Sequence, residues 1–222
     1  MEPSPSDRSE EVWTVVVAAG GGTRFGGAKQ YAEVGGRRVL DWSVAAARTA
    51  GTRVVLVVPP DRAEDPEPSV DAVVAGGATR SASVRAGLAA VAGAAEVVVV
   101  HDGARPAATP DLFAAVIAAV REGADAAVPG VALVDSVRHR DGRAVDRDEL
   151  VAVQTPQAFR AAALRRAHQT EREASDDATL VEDDGGAIAV VPGEQANVKL
   201  THPTDLDLVA RALVPPASRT AG

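Results

Sequence analysis

Residues 15–31 read VVVAAGGGTRFGGAKQY and predict a buried strand that leads into a ligand-binding loop. The β-branched run at residues 15–17 is short and ends at glycines, a pattern typical of a buried strand before a loop. Glycine lets backbone N–H groups approach a ligand closely, and successive free N–H groups bind anions. Because Arg24 and Lys29 add two cations, we expect a polyphosphate here. The alternative is a strand followed by a flexible linker.

Two common phosphate-binding loops do not fit this spacing. A P-loop requires Gly-Lys-Ser/Thr, but Ala28 separates Gly27 from Lys29, and Gln30 follows. A dinucleotide-binding loop requires a third glycine where Phe25 stands, and an acidic residue after the next strand, which is absent. The loop therefore predicts a nucleotide-binding site of another kind.

Composition favours a single α/β domain over residues 12–213, between disordered tails at residues 1–11 and 214–222. The 222 residues are 46% hydrophobic and only 3% aromatic, which suits a sheet of small aliphatic side chains covered by helices on both faces. The net charge of -8 argues against nucleic-acid binding. The absence of cysteine excludes disulfides and thiolate metal sites. Without a signal segment or a long apolar run, we expect a soluble cytoplasmic protein that does not bind membranes.

The hydrophobic pattern predicts alternating strands and helices. The expected strands cover residues 12–18, 53–58, 70–75, 96–100, 124–130, 188–191 and 198–200. The expected helices cover residues 39–50, 78–93, 110–122, 160–169, 178–184 and 203–213.

Two further clusters are candidates for phosphate binding. Arg80 and Ser83 lie near the start of a predicted helix, where free N–H groups favour an anion, although Ser81 or Ser83 could simply cap that helix. Asp102 follows an apolar strand, at the edge of the sheet where ligands bind in open α/β folds. Its carboxylate suits Mg²⁺ or another divalent cation, and Arg105 suits a phosphate. The alternative is that Asp102 only forms a turn with Arg105.

Lysine is rare in this chain, which draws attention to its positions. Only two of the 23 basic residues are lysines, Lys29 and Lys199. Where arginine is the usual cation, a lysine can mark a place that needs a compact ammonium group, although chance can also place two lysines.

Residues 131–153 predict a β-arm that projects from the domain. Two short alternating stretches flank Asp141-Gly142, a hairpin turn signal. A long hairpin with an apolar face needs a partner, and a second copy of the chain would supply one.

Six motifs, in order and at similar spacing over about residues 12–213, resemble those of the 2-C-methyl-D-erythritol 4-phosphate cytidylyltransferases of the non-mevalonate isoprenoid pathway. They are AAGGGTR…KQY at 18–31, GG…R…SV at 76–84, HDGARP at 101–106, VDR at 145–147, QTPQAF at 154–159 and NVKLT at 197–201. The resemblance implies a Rossmann-like three-layer nucleotidyltransferase fold, with a mostly parallel sheet and a protruding β-arm that forms a homodimer. It also implies transfer of CMP from CTP to a sugar-alcohol phosphate.

The resemblance assigns roles to individual residues. It implies that Arg24, Lys29, Asp102 and Lys199 are catalytic and that Asp102 holds the metal. CTP would contact Ala18, Ala19, Gly20, Gly22, Arg24, Lys29, Gly76, Gly77, Arg80, Ser83, Asp102 and Gly103. The sugar phosphate would contact Arg105, Ser136, Arg147, Thr155 and Lys199, with Ser136 and Arg147 supplied by the partner chain.

Two other functions remain open from the sequence. A ribitol 5-phosphate cytidylyltransferase shares the glycine loop, but the residues around Ser136 and Arg147 look like the methylerythritol enzymes. A non-catalytic nucleotide-sensing domain on the same fold could lose Asp102 or a lysine, and all of these are present.

Overall fold

The computed structural model describes residues 11–170 and 172–214, so the expected tails at residues 1–11 and 214–222 lie outside the described residues except at residues 11 and 214. Within them, a mostly parallel sheet has the strand order β10-β7-β11-β6-β1-β4-β5, and β12 also pairs with β7. The strands are β1 Val12–Val17, β2 Glu33–Val34, β3 Arg37–Arg38, β4 Arg53–Val58, β5 Ala72–Ala75, β6 Val97–Asp102, β7 Ala126–Ala132, β8 Val137–Arg138, β9 Ala144–Val145, β10 Val151–Val153, β11 Gln157–Arg160 and β12 Ile188–Pro192. The helices are α1 Val39–Thr49, α2 Arg80–Ala90, α3 Pro110–Arg121, α4 Ala161–Ala167, α5 Asp177–Asp183 and α6 Asp205–Leu213.

Helices cover both faces of the sheet, as the composition predicts. Successive side chains of a strand point to opposite faces, so Val15 packs against α2, whereas Val16 packs in the core that includes α1 and α3. Both valines are fully buried, and the four valines that begin β6 are also buried. A strand that is apolar on both faces belongs in the centre of a parallel sheet, where β1 and β6 are neighbours.

The register of β1 and β6 brings the glycine loop next to Asp102. Val17 lies opposite Asp102, and the Gly103 N–H donates to Val17 O at 2.9 Å. Ala18 begins the loop and donates its N–H to Val57 O of β4 at 2.8 Å. The residues after three parallel strands therefore meet at the carboxyl edge of the sheet.

Strand β11 is not expected from the sequence. It enters between β6 and β7 and runs antiparallel to both, with Gln157 opposite Val100. Because its direction is reversed, the residues that precede it lie at the carboxyl edge of the parallel strands. This reversal brings Thr155 to Asp102, and the Asp102 N–H donates to Thr155 Oγ1 at 3.0 Å.

The predicted arm is shorter than residues 131–153. Its two ends belong to the main sheet, because β10 pairs antiparallel with the end of β7 and Val151 lies opposite Ala132. Strands β8 and β9 form a small separate hairpin, and Gly142 N donates to His139 O in the predicted turn. Several apolar side chains of this region are exposed, including Val134 at 78%.

Two other expectations differ from the structure. Residues 198–200 do not form a strand but an irregular segment, in which Leu200 N donates to Ala104 O at 2.8 Å and Leu200 O accepts from Lys29 Nζ. The structure also contains the β2–β3 hairpin, which is not among the predicted elements, although Gly35-Gly36 at its turn is a recognised hairpin-turn signal. Among the described residues, no helix is long and apolar enough to cross a membrane.

Candidate active site

The glycine loop closes on itself around Gly22. The Gly22 carbonyl accepts the N–H groups of Phe25 at 2.8 Å and Gly26 at 3.0 Å. Gly22 has φ +63, and a Cβ there would lie 1.8 Å from Gly27 O. By contrast, a Cβ on Gly20 would have no atom within 4 Å, so the backbone of the loop is open to a ligand at that position.

Gln30 connects the loop to the end of β1. Its side chain is buried, and Nε2 donates to Ala18 O at 2.8 Å and to Gly20 O at 3.2 Å. The sequence motif includes Gln30 but indicates no role for it, because only the folded loop shows that its amide reaches back twelve residues.

A cavity of about 310 Å³, the first cavity, opens beside this loop. Its lining consists of Val17, Ala18, Ala19, Gly20, Gly21, Lys29, Gln30, Gly77, Ala78, Thr79, Arg80, Ser83, Asp102, Ala104 and Lys199. Most residues that the resemblance assigns to the nucleotide line it. Four others, Gly22, Arg24, Gly76 and Gly103, lie outside the lining, and Arg24 is exposed on the loop.

The loop before α2 forms one wall of the first cavity. The Gly77 N–H donates to Ser83 Oγ at 3.1 Å, and Ser83 Oγ donates to Thr79 O at 2.9 Å. The cap of α2 is Thr79, which accepts from Ala82 N at 3.1 Å, rather than Ser81 or Ser83. Ser83 is therefore free of the capping role and instead fixes the Gly77 backbone.

Both lysines of the chain reach the first cavity. Lys29 Nζ donates to Leu200 O at 2.5 Å, and Lys199 Nζ lies 2.6 Å from Asp102 Oδ2. Burial and then the charge of Lys199 lower the pKa of Lys29. Two ammonium groups that repel each other across a cavity indicate a site suited to a ligand with several negative charges.

Asp102 is an ionised carboxylate between two cations. Its burial alone would raise its pKa, but the charges of Lys199 and Arg80 outweigh burial and hold the pKa of Asp102 well below its usual range. Arg80 Nε lies 3.5 Å from Asp102 Oδ1, whereas Lys199 contacts the other carboxylate oxygen.

A second cavity of about 220 Å³ also borders Asp102. Its lining consists of Arg80, Asp102, Arg105, Val153, Gln154, Thr155, Gln157, Ser175, Asp176 and Lys199. Arg80, Asp102 and Lys199 belong to both linings, so these three side chains form the wall that the cavities share. Arg105 lines only the second cavity, where its Nη1 donates to Asn197 O at 2.7 Å and burial lowers its pKa.

His101 is buried behind Asp102 and takes part in internal hydrogen bonds. Burial and then the charge of Arg105 lower the pKa of His101 to about 4, so its imidazole is neutral. Nε2 donates to Arg105 O at 3.2 Å, since a carbonyl can only accept, which leaves Nδ1 to accept the Thr155 hydroxyl proton at 3.2 Å. The Thr155 hydroxyl, assigned by resemblance to the sugar phosphate, is therefore already bonded to its neighbours.

The structure does not bring Ser136 and Arg147 to either cavity of the same chain. Both lie in the region beyond β7, and Arg147 Nη1 donates to Val134 O there. Their expected contact with a substrate would require a partner chain, so it stays a prediction.

A larger cavity of about 940 Å³ lies at the opposite edge of the sheet, beside Glu11, Arg53 and Glu96. Arg53 is paired there with Glu11 at 2.9 Å. None of the predicted site residues lines it, so the candidate chemistry of the chain is concentrated at the carboxyl edge.

A divalent cation fits the shared wall under one condition. Across residues 11–170 and 172–214, no three His, Asp or Glu side chains are grouped as metal ligands. Asp102 offers a single ionised carboxylate at the cavity surface. Since Mg²⁺ is commonly bound by one or two carboxylates together with substrate phosphates and water, the ion would need oxygen atoms from a bound phosphate.

Comparison with known proteins finds relatives that match this chain over most of its length and share its fold. The IspD family model, described as 2-C-methyl-D-erythritol 4-phosphate cytidylyltransferase, matches residues 12–215. The enzyme of that name from Thermus thermophilus is 44% identical over 213 residues, covering 91% of this chain and 97% of that protein. A crystal structure of the Thermus thermophilus enzyme superposes with a TM-score of 0.78 at 39% identity, covering 90% of this chain and 97% of that one.

Other relatives are longer than this chain. The bifunctional enzyme IspD/IspF of Nitratidesulfovibrio vulgaris is 41% identical over 225 residues, which cover 89% of this chain but 57% of that protein. The chain thus spans little more than half the length of the bifunctional relatives it matches.

Proposed function

Because this chain belongs to the 2-C-methyl-D-erythritol 4-phosphate cytidylyltransferase family, we propose that it transfers the CMP group of CTP to 2-C-methyl-D-erythritol 4-phosphate. The products are 4-diphosphocytidyl-2-C-methyl-D-erythritol and pyrophosphate. The reaction would take place in the cytoplasm, as a step in the formation of isoprenoid precursors.

The observation that carries this proposal is the shared wall between the two cavities. Lys199, Asp102 and Arg80 border both, and Lys29 joins them from the glycine loop. A nucleotide in one cavity and a phosphate in the other would meet at these cations. This is the arrangement that a transfer between two anionic substrates requires.

We assign CTP to the first cavity. Its triphosphate would lie on the open backbone near Gly20 with Lys29, and its base beside Gly77 and Ser83. The Ser83–Gly77 hydrogen bond keeps that backbone in one position, which supports selection of a small base.

The acceptor phosphate needs no general base to attack the α-phosphorus. The second pKa of a phosphate monoester is near ~6, so this oxygen nucleophile is mostly ionised at neutral pH. His101 is unsuited to remove a proton, because its pKa is about 4 and both ring nitrogens are used internally. Catalysis would consist of positioning and electrostatic stabilisation by Lys29 and Lys199.

Asp102 is the residue that would hold a divalent cation, together with phosphate oxygens. When bound, such an ion neutralises phosphate charge and orients the reacting groups. Lys199 would then contribute its charge at the α-phosphate of the transferred CMP group, and Arg24 would approach the triphosphate from the loop.

A homodimer would complete the acceptor side. Arg105 lines the second cavity, and the partner chain would supply Ser136 and Arg147 through the arm. Exposed apolar side chains on this side of the sheet, such as Val134 and Val153, support a protein–protein contact there.

The direct test is pyrophosphate release by the purified protein with CTP and Mg²⁺. Methylerythritol 4-phosphate and ribitol 5-phosphate are compared as acceptors, and the Asp102→Asn variant controls for contaminating enzymes. We expect release with methylerythritol 4-phosphate only. Release with ribitol 5-phosphate only would overturn the assigned acceptor but not the transfer reaction, whereas CTP binding without release from either would indicate a nucleotide sensor.

A further inference from the structure

Asp177 lies behind the shared wall, outside both cavity linings, and it contacts a residue of that wall. The side chain is completely buried at the start of α5. Its Oδ2 accepts from Arg80 Nη1 at 2.7 Å, and its Oδ1 lies 2.9 Å from Nε2 of His168, which is also buried. The sequence pattern favours a capping role for Asp176 and Asp177. Asp176 is the cap, whereas the Asp177 side chain contacts Arg80 and His168.

Arg80 is consequently held from two directions. Its Nη1 contacts Asp177, and its Nε lies 3.5 Å from Asp102 Oδ1. Burial alone would lower the pKa of Arg80, but the charge of Asp177 and then that of Asp102 raise it. The guanidinium is thus a fixed cation on the wall between the two cavities.

This arrangement differs from an ion pair that only stabilises the core. A buried carboxylate needs an oppositely charged partner, but that partner can lie anywhere in the interior. Here the partner is a side chain that lines both cavities, and His168 occupies the carboxylate oxygen that Arg80 does not use. An arginine in water samples many rotamers, so a fixed carboxylate behind it removes that disorder before any substrate arrives.

We propose that Asp177, oriented by His168, is a positioning residue that fixes Arg80 between the two phosphate-binding cavities. This inference rests on the proposed function and adds two buried residues that do not themselves contact the substrates.

The test is a pair of double-mutant cycles on Asp177→Asn and Arg80→Ala. One cycle measures kcat/KM for pyrophosphate release, and the other measures pyrophosphate binding by calorimetry. We expect Asp177→Asn alone to lower kcat/KM about 10- to 100-fold, because a small displacement of a group that positions the substrate can cost about a hundredfold in rate. In the Arg80→Ala background, Asp177→Asn should change kcat/KM and the affinity for pyrophosphate by less than about twofold each, because Asp177 acts through Arg80.

Effects of Asp177→Asn that are as large without Arg80 as with it would overturn the inference. If the wild-type protein releases no pyrophosphate with any acceptor, the proposed function fails, and the binding cycle still decides the role of Asp177. Asp71→Asn is the matched control, since Asp71 accepts from Val54 N and lies outside both cavity linings. It should leave kcat/KM within about twofold of wild type.

His168 gives a second test if Asp177→Asn does not fold. His168→Gln keeps an N–H donor for Asp177, whereas His168→Leu has none. We expect the glutamine variant to retain more kcat/KM and tighter pyrophosphate binding than the leucine variant, by about fivefold or more. Equal values for the two variants would show that His168 has no orienting role.

Discussion

Lys199 Nζ lies 2.6 Å from Asp102 Oδ2, although the two residues are 97 positions apart in the sequence. The contact joins an irregular segment near the end of the chain to the end of a central strand. Hydrogen bonds between two ionised groups are stronger than neutral ones, so this pair fixes Lys199 against the wall between the cavities. The lysine thereby stands where the two proposed substrates would meet.

Loss of either lysine should lower turnover strongly. We expect Lys29→Ala and Lys199→Ala each to reduce kcat about a hundredfold or more, because each removes a cation where negative charge develops. Steady-state pyrophosphate release measures this. Arg48→Ala is the control, since Arg48 pairs with Asp71 at 2.9 Å outside both cavities. Near-normal turnover in either lysine variant would remove that lysine from the mechanism.

Gly22→Ala should disrupt nucleotide binding. The new Cβ would lie 1.8 Å from Gly27 O, and φ +63 is strained for alanine, so the loop must change shape. We expect the Kd for CTP, measured by calorimetry, to rise about tenfold or more, since about 1.4 kcal/mol corresponds to tenfold. Gly27→Ala is the matched control, because a Cβ there would meet no atom within 4 Å. Equal CTP affinity of the two variants would contradict this account of Gly22.

His101 should make the free energy of unfolding depend on pH. Its pKa is about 4 in the folded protein and 6.5 when unperturbed, so the unfolded chain binds the proton more readily between these values. The contribution of neutral His101 to the free energy of unfolding is therefore fully present above about pH 6.5 and is lost progressively as the pH falls to about 4. The loss should amount to about 3 kcal/mol.

Urea unfolding between pH 4 and pH 7, without divalent cations, measures this effect. We expect His101→Gln to show a smaller fall in the free energy of unfolding than the wild type, while His202→Gln, at an exposed histidine, should follow the wild type. If the free energy of unfolding falls with pH equally in the wild type and in His101→Gln, the lowered pKa of His101 is disproved as the cause.

Mixed dimers should reveal a site shared between two chains. If Arg147 acts in the partner's site, each site uses Lys29 of one chain and Arg147 of the other. A heterodimer of a Lys29→Ala chain and an Arg147→Ala chain then has one site with both residues intact and one site with both replaced. An equal mixture, refolded together, should recover about a quarter of wild-type activity at random pairing. Activity no higher than the average of the two variants alone would mean that Arg147 works within its own chain or not at all.

The parts of this site that depend on local pattern are predictable from the sequence. The valine run, the glycine loop and Asp102 could be placed together because parallel strands bring their carboxyl ends to one edge. The antiparallel strand β11 could not be predicted, since its four residues carry no alternating pattern. Ala158 and Phe159 are buried in the cores on the two opposite faces of the sheet, whereas Arg160 is exposed. The roles of Gln30 and Asp177 depend on contacts that only the folded chain creates.

The scarcity of lysine has a practical consequence for handling the protein. Lys29 and Lys199 carry all the side-chain amines of the chain, and both line the first cavity. Reagents that acylate or cross-link lysines would therefore act as active-site inhibitors, and coupling to an amine-reactive resin through these residues would block the cavity. Because the chain has no cysteine, one cysteine introduced on the outer face of α1 would provide a unique thiol for dyes or surface attachment. Labelling at that thiol leaves both amines intact.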